Sequence, residues 1–445
     1  MSIQREYWNP ILETASPEKL HELQLRKFRE IVQWAYERSA FHHRLYHEAG
    51  LEPGDIKTWD DIRRVPLVDK GMMRTIQGEG HEPFPYGEML CVPRNQVTAY
   101  HQTSGTTGQP VYQADSWQDW ELWAESWACI LYAQGYRAGD RVFLPFGYNV
   151  FVAFWSAHYG AEKLGCEVVP GGVLNTEARI LKMQELKVDA FMATPTYVLG
   201  LADSAHRMKI DPRSLNIKRI TVAGEPGGSV PSTKKRMEEA WGCPVYDHVG
   251  ATEIGAWSYE CTAQMGLHVN DALFLVEIED IDTREPITEP GKPGKMIITN
   301  LSRMAQPCIR FDSKDIIQWN EDPCDCGRTF RLIKGGVLGR SDDITKVKGV
   351  LLAPTSIEEV VRSIAGLCDE YEVVVTKSGD IDDITLKVEL LPGCPDATVV
   401  KAQLIDQLRV KTNLGYNLEF HDYGTLPRYE VKARRFKDLR PKHHG

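Results

Sequence analysis

Between residues 100 and 110 the chain reads Tyr-His-Gln-Thr-Ser-Gly-Thr-Thr-Gly-Gln-Pro. Gly105 and Gly108 bracket Thr106 and Thr107, and Thr103 and Ser104 stand just before them. Glycine lets backbone amides approach an anion closely and the hydroxyls add donors, so a triphosphate is the natural guest. Gly, Ser and Thr are also general turn residues, and composition alone leaves a plain surface turn open. It is not a Walker loop, because no Gly-Lys-Ser/Thr follows. A second group is Phe151, Trp155 and Tyr159, four apart, with Tyr148 and His158 close by. On a helix that spacing makes one face, readable as core or as a pocket wall. The basic tail from Lys432 to Lys442 reads as a solvated face or a polyanion contact.

These groups need elements to hold them. A helix is expected from Ser16 as N-cap and Pro17 at its first position, with Leu20, Leu23, Phe28, Ile31, Val32 and Ala35 on one face. Gly50 closes that region, and a loop-rich stretch runs from Pro53 to about Pro93. A strand at 96–101 leads into the glycine loop. From there, apolar runs at 141–146, 166–170, 189–194, 219–223 and 244–248 alternate with helix-length segments such as 150–164 and 176–186. Such alternation implies parallel sheet covered by helices on both faces, with ligand chemistry in the loops after the strands' carboxyl ends. The aromatic stripe, Gly224-Glu225 and residues 249–253 all follow such strands. After Gly291 the texture turns antiparallel, with a strand at 295–300. A smaller α+β unit begins near Gly339, with helices near 356–364 and 397–410 and strands at 371–376, 384–391 and 417–420.

Composition bounds the functional classes. The chain has 445 residues, 42% hydrophobic, 26% charged and 9% aromatic, a globular mixture for two to three domains that excludes a disordered, collagen-like or coiled-coil chain. No apolar run approaches the roughly 20 residues of a membrane span, and the first residues lack a basic-then-apolar leader, so a cytoplasmic protein without a membrane partner is expected. Fifty-two Lys and Arg against sixty-two Asp and Glu leave −10, which argues against a nucleic-acid partner. Ten cysteines are too few for a disulfide framework at this length. Cys91, Cys129, Cys166, Cys243, Cys308, Cys368 and Cys394 sit among apolar neighbours and read as buried small hydrophobes.

Five segments, in chain order, resemble signatures of the adenylate-forming enzymes, the superfamily of acyl-CoA synthetases, firefly luciferase and peptide-synthetase adenylation domains. Residues 103–108 are similar to their phosphate loop, with Val111 where a lysine usually follows the proline. Val249-Gly-Ala-Thr-Glu253 resembles Tyr-Gly-x-Thr-Glu, which implies Gly250, Ala251 and Thr252 on the nucleotide and Glu253 on Mg²⁺, a hard cation suited to oxygen ligands. Arg310-Phe-Asp-Ser-Lys-Asp315 resembles Arg-Tyr-x-Thr-Gly-Asp, implying Asp315 on the ribose hydroxyls. Gly339-Arg-Ser-Asp-Asp343 with Lys346 and Gly349 resembles the interdomain hinge, implying Asp342 as pivot and Arg340 as a nucleotide contact. Leu426-Pro-Arg-Tyr-Glu-Val-Lys432 resembles Pro-Arg-x-x-Gly-Lys, implying Lys432 as the adenylation lysine.

Trp8-Asn-Pro, Tyr159-Gly-Ala-Glu-Lys-Leu-Gly165 and Gly224-Glu-Pro226 are similar to the phenylacetate–CoA ligase branch. That likeness implies an α/β fold: residues 1–338 as a large domain of mainly parallel sheets flanked by helices plus a small β-barrel-like part, and residues 339–445 as a mobile α+β domain. It implies a ligase that takes a carboxylic acid, ATP and coenzyme A through an acyl-adenylate, with an aromatic or arylacetic acid as the family expectation. Tyr148, Phe151, Trp155, His158, Tyr159, Gly224 and Glu225 would form the acid pocket. The branch also suggests structural Zn²⁺: Cys261, His268, Cys324 and Cys326 offer four tetrahedral N/S ligands, against the competing reading of unrelated buried thiols. Two other functions stay open, adenylation with transfer to a carrier protein or other acceptor, and a non-catalytic nucleotide-binding regulator. A homodimer is compatible with the chain.

Overall fold

A computed structural model of the chain describes residues 6–78, 80–103, 109–341, 345–347, 350–352, 354–378, 381–394, 396–429 and 435–440. It divides into two compact units. One comprises Met1–Val173, Val188–Phe191 and Tyr246–Gly336; the other Leu174–Lys187, Met192–Val245 and Val337–Gly445.

The first unit opens as its capping residues predict, with Ser16 accepting from Lys19 N and Pro17 leading the helix Pro17–Arg38. Its inner face buries Leu20, Phe28, Ile31, Val32 and Ala35, together with Gln24, whose amide donates to Phe274 O at 2.8 Å. The helix expected to run to Gly50 is two helices. Ser39 leaves helical geometry and its hydroxyl accepts from His42 N at 3.2 Å to start Ala40–Glu48. The Pro- and Gly-rich stretch after it also contains a helix, Lys70–Ile76, capped by Asp69.

Strands Val97–Gln102 and Tyr112–Ser116 pair antiparallel, so the glycine loop joins the arms of a hairpin. In the largest sheet, of eight strands, Arg141–Leu144 pairs parallel with Glu167–Pro170 and Ala190–Ala193. Beyond the parallel part, Val245–Ala251, Gly255–Glu260, Leu267–Val269 and Leu332–Ile333 continue antiparallel. A separate sheet pairs Phe274–Glu279, Gly294–Asn300 and Phe311–Ile317 antiparallel in linear order. The barrel-like part expected there is an open sheet among the described residues. Its Leu275, Leu301 and Ile309 pack with Phe28, Ile31 and Tyr46 of the opening helices, so these distant segments share one core.

In the second unit, strand Arg219–Val222 lies between its neighbours through Ala223 N to Ala193 O and Ile220 N to Pro244 O. Helices Pro195–Arg207 and Pro231–Trp241 meet where Trp241 Nε1 donates to Val198 O. Near the chain's end, Asn417–His421, Ile381–Leu390, Leu367–Ser378 and Phe436–Asp438 form a four-stranded sheet in that order. Helices Pro354–Ser363 and Ala397–Thr412 cover it through Ile357, Val361, Leu404 and Leu408. No described helix is long and apolar enough to cross a membrane.

The helix carrying the aromatic stripe, Val152–Leu164, approaches Trp117–Ala133 closely at Gly160, where a Cβ would stand 2.2 Å from Trp127 Cβ. Trp127 is itself buried and has no room to retreat. Gly160→Ala should therefore cost about 1–3 kcal/mol through overpacking, read as a lower denaturant midpoint at unchanged slope. A midpoint equal to the parent's would show that the two helices can separate freely.

Candidate active site

The hairpin that brackets the glycine loop is pinned at the loop's base. Thr103 N donates to Val111 O and Val111 N donates to the Thr103 hydroxyl, both at 3.0 Å. Thr103 is thus placed as the loop's staple, with its hydroxyl engaged by backbone. Ser104, Gly105, Thr106, Thr107 and Gly108 lie outside the described residues, as do Asp342, Gly349 and Lys432.

The segment 249–253 is not a loop leaving a strand at His248. The strand runs through Ala251, and Thr252, Glu253 and Ile254 make a tight hairpin turn into Gly255. Gly255 takes φ +131° with no room for a Cβ against Phe274, so glycine is required at that end. The turn is gripped from beneath by Arg303, whose Nη1 donates to Thr252 O at 2.9 Å and Glu253 O at 3.2 Å. The same guanidinium makes a two-pronged pair with Asp115 at 2.7 Å per prong, and both residues are buried. Burial alone would push the Asp115 carboxyl up, but Arg303 and His101 outweigh it and hold the group below its ordinary value. Asn300 adds a bond from Nδ2 to Ile254 O at 2.6 Å. One buried network therefore ties the Glu253 turn to the strand below the glycine loop.

Glu253 is buried, and its carboxylate meets the ammonium of Lys70 at 2.6 Å. Sequence reading passed over Lys70 because a lone lysine in a loop-rich stretch carries no spacing signal. A helix start at Asp69 was the available clue. Asp315 lies partly exposed on Phe311–Ile317. One residue before it, where the resembled motif has glycine, Lys314 adopts φ +67° and its ammonium is held by Asp312 at 2.7 Å. Arg310, at the head of that motif, is fully engaged with Glu277, Glu279 and the carbonyls of Arg63 and Val65. It orders the strand.

None of Phe151, Trp155 and Tyr159 is buried, so the stripe is not core. Tyr148 and Trp155 meet edge to face at 4.8 Å, and the Tyr148 hydroxyl bonds His158 Nδ1 at 2.7 Å, with Glu162 on the other ring nitrogen at 3.1 Å. Tyr159 turns aside onto Trp120. Gly224 and Glu225 belong to the second unit. There the Glu225 carboxylate accepts from Thr196 N at 2.7 Å, a stabilising place for an anion at the start of Pro195–Arg207. Arg340 lies in the short strand Gly339–Arg340 of that unit.

Cys261, His268, Cys324 and Cys326 come together, their ligand atoms within 4.8 Å of one another. The register pairing His268 with Tyr259 on one side and Leu332 on the other brings the two cysteine segments over the histidine. Cys261 and Cys324 Sγ lie 3.5 Å apart as free thiols, and Cys326 Sγ is 3.3 Å from His268 Nε2. His268 Nδ1 bonds Phe330 O at 3.1 Å, which turns Nε2 toward the sulfurs. The loop is anchored by Arg328 to Glu13 at 2.6 Å and by the Tyr7 hydroxyl to Cys326 O at 3.0 Å. Six of the seven cysteines read as small hydrophobes are buried, and Cys394 is half-buried.

Removing the charge beneath the turn tests its role. Asp115→Asn strands the Arg303 charge in the interior and should cost about 3–5 kcal/mol. A chemical-denaturation curve within about 1 kcal/mol of the parent would mean the pair does not hold the turn.

Comparison with known proteins places this geometry. Residues 55–305 match the AMP-binding enzyme family and residues 349–440 the AMP-binding enzyme C-terminal domain. A phenylacetate-coenzyme A ligase of Aromatoleum evansii is 34% identical, covering 97% of each chain. That of Thermus thermophilus is 32% identical over 97% of this chain and 99% of its own. Crystal structures of a 2-hydroxyisobutyryl-CoA ligase superpose as well. Its postadenylation state with R3-HIB-AMP gives a TM-score of 0.92 at 28% identity, covering 98% of this chain and 93% of that one. Its thioesterification state with 2-HIB-AMP and CoA gives 0.75 at 29% identity, covering 99% and 94%. With family matches across both its large and small parts and full-length relatives above 30% identity, the chain belongs to the AMP-binding, adenylate-forming enzymes.

Proposed function

We propose that this chain is an AMP-forming ligase that joins an aromatic or arylacetic acid to coenzyme A. The carrying observation is the buried Asp115–Arg303 network, which fixes the backbone of the Glu253 turn relative to the base of the glycine loop. In the first half-reaction a carboxylate oxygen bonds the α-phosphorus of ATP and pyrophosphate leaves. In the second, the CoA thiol attacks the acyl carbonyl, its proton goes to solvent and AMP leaves. Both reactants of the first step are anions, so the site must supply cations and donors where charge accumulates. Lys432, a compact charge on a flexible stem, would neutralise the carboxylate and α-phosphate oxygens. Residues 339–445 would then turn about Asp342 and present the Gly349 segment in its place, a movement that serves two chemistries at one site. Asp315, with its partly exposed carboxylate, would hold the ribose, and Arg340 the nucleotide side.

The rings support the acid class. Tyr148 and Trp155 offer partly exposed faces just beyond the carboxyl end of Arg141–Leu144, where ligands bind in such sheets. Phe151 and His158 would line the proposed pocket with Tyr159 at its border, and the family likeness would add Gly224 and Glu225. For Mg²⁺ the donor set fits: Glu253 is a buried carboxylate that already holds a cation against it. Glu253 would hold a magnesium ion, whose charge would offset that of the phosphates. For Zn²⁺ the fit rests on sulfur geometry. Two thiolates on one tetrahedral zinc sit about 3.8 Å apart, and Cys261 and Cys324 lie at 3.5 Å. Four protein ligands leave no open position, so that ion would staple the 324–328 loop.

Pyrophosphate release across aryl, arylacetic and short aliphatic acids tests the reading. Arylacetic or aromatic acids should turn over fastest, with AMP release dependent on CoA. Lys432→Ala should abolish adenylate formation yet leave thioester formation from a supplied adenylate; equal loss of both assigns the lysine wrongly. AMP release indifferent to CoA would favour another acceptor, and silence across the panel a regulator. Metal analysis should find one zinc per chain. Less than about half an equivalent, with Cys324→Ser melting like the parent, would sink the staple.

A further inference from the structure

A cation is missing where the phosphate loop resembles its family, and the structure shows both why it is missing and what stands nearby. Val111 occupies the position at which a lysine is usual. It is fully buried, and its backbone N and O are both bound to Thr103, so no long side chain could reach solvent from there. A triphosphate carries several negative charges, and an arrangement of backbone amides and hydroxyls alone leaves much of that charge unmatched.

Lys70 stands within reach of the same machinery. Its ammonium contacts Glu253 at 2.6 Å while the side chain stays 38% exposed, so one side meets a buried carboxylate and the other opens to solvent. Its backbone is held on three sides. Asp69 caps the helix by accepting from Met72 N at 2.9 Å. Val68 is stitched to the motif strand, its N donating to Arg310 O at 3.1 Å and its O accepting from Asp312 N at 2.8 Å. Arg74 Nε donates to Gln109 O at 2.8 Å, at the downstream foot of the glycine loop. The Lys70–Ile76 helix thus bridges the strand bearing Asp315, the glycine loop's foot and the Glu253 turn.

We propose that Lys70 is the triphosphate-binding lysine of this chain, replacing the cation that position 111 cannot supply. Without nucleotide its ammonium neutralises Glu253. When a divalent cation takes that carboxylate, two cations on one acid repel, and the flexible stem carries the ammonium to β- and γ-phosphate oxygens. No covalent step is involved. The inference rests on the reading that this site takes ATP, and its test separates the two.

Calorimetric binding of MgATP, pyrophosphate and AMP is measured for the parent, Lys70→Met and Lys70→Arg, together with melting curves. Losing a charge-assisted phosphate contact should weaken MgATP and pyrophosphate in Lys70→Met by about tenfold or more. AMP, which lacks the outer phosphates, should change by less than about threefold, and Lys70→Arg should bind MgATP within about threefold of the parent. Equal weakening of AMP and MgATP, or MgATP binding like the parent's, overturns the assignment. A parent that binds neither nucleotide strikes the reading of the site itself. Acetylation footprinting of the parent needs no variant. MgATP and pyrophosphate should protect Lys70 while AMP does not, and identical labelling in all three would overturn the proposal even if Lys70→Met fails to fold.

Discussion

The buried pair between Asp115 and Arg303 is the constraint on which the rest of the site depends. An isolated charge in such a place is prohibitively desolvated, so the two must stay together in one geometry. A buried pair is weak evidence for net stability, since apolar residues of equal volume often do as well. Its value here is directional. The guanidinium has a fixed fork, and the prongs that meet Asp115 leave Nη1 aimed at the carbonyls of Thr252 and Glu253. The adjoining turn repeats the logic. Asp119 completes the capping box with Ser116 at the start of Trp117–Ala133 and accepts from Met304 N and Ala305 N, while Gln306 takes up Ala114 N and Tyr112 O. Residues 300–306, in no motif, are where hairpin, helix and Glu253 turn are joined.

That explains what could and could not be read from residues alone. Local rules were legible: the Ser16–Pro17 start, the strand–helix alternation from residue 141 and both helices of the C-terminal sheet layer sit within a few residues of their expected places. The cysteine and histidine set was named through the resemblance, since Cys-x-Cys spacing alone also fits unrelated buried thiols, and the four side chains do converge. The Ser39 break was hidden, since its neighbours keep helical periodicity while its side chain serves as a cap. The antiparallel half of the large sheet was hidden because a buried strand is apolar on both faces whichever way its partner runs. Lys70, Asp115 and Arg303 were invisible for a different reason. Their meaning lies in partners more than a hundred residues away, and nothing local marks them.

Departures from the family pattern become interpretable at the same level. A left-handed backbone costs a non-glycine residue roughly 1–2 kcal/mol. Lys314 accepts it at the position where glycine is usual, and its ammonium then returns to Asp312, which Lys295 also holds at 3.0 Å. The strain is local and offset locally, within the strand that carries Asp315. Val111 is the converse case. The substitution removes a charge yet completes a buried contact at the hairpin's foot, and the loop's closure, which needs only backbone and a hydroxyl, survives it.

The second unit shows a complementary economy in how the C-terminal sheet layer is held. Polar ties join it to helices Pro195–Arg207 and Pro231–Trp241: Arg362 to the Thr233 hydroxyl at 3.0 Å, Arg236 to Asp369 at 2.9 Å, and Arg435, itself held by Glu370 of the layer at 2.8 Å, to the Thr196 hydroxyl at 3.1 Å. The layer's own core is apolar, from Ile357 and Val361 through Leu386 to Leu404. Apolar area removed from water is non-directional and costly to expose again, whereas hydrogen bonds and ion pairs can be exchanged for water at small net cost. A body with a greasy interior and polar moorings stays folded when its moorings part. That division of contacts is what an adenylate-forming enzyme requires of the segment it moves between its two half-reactions.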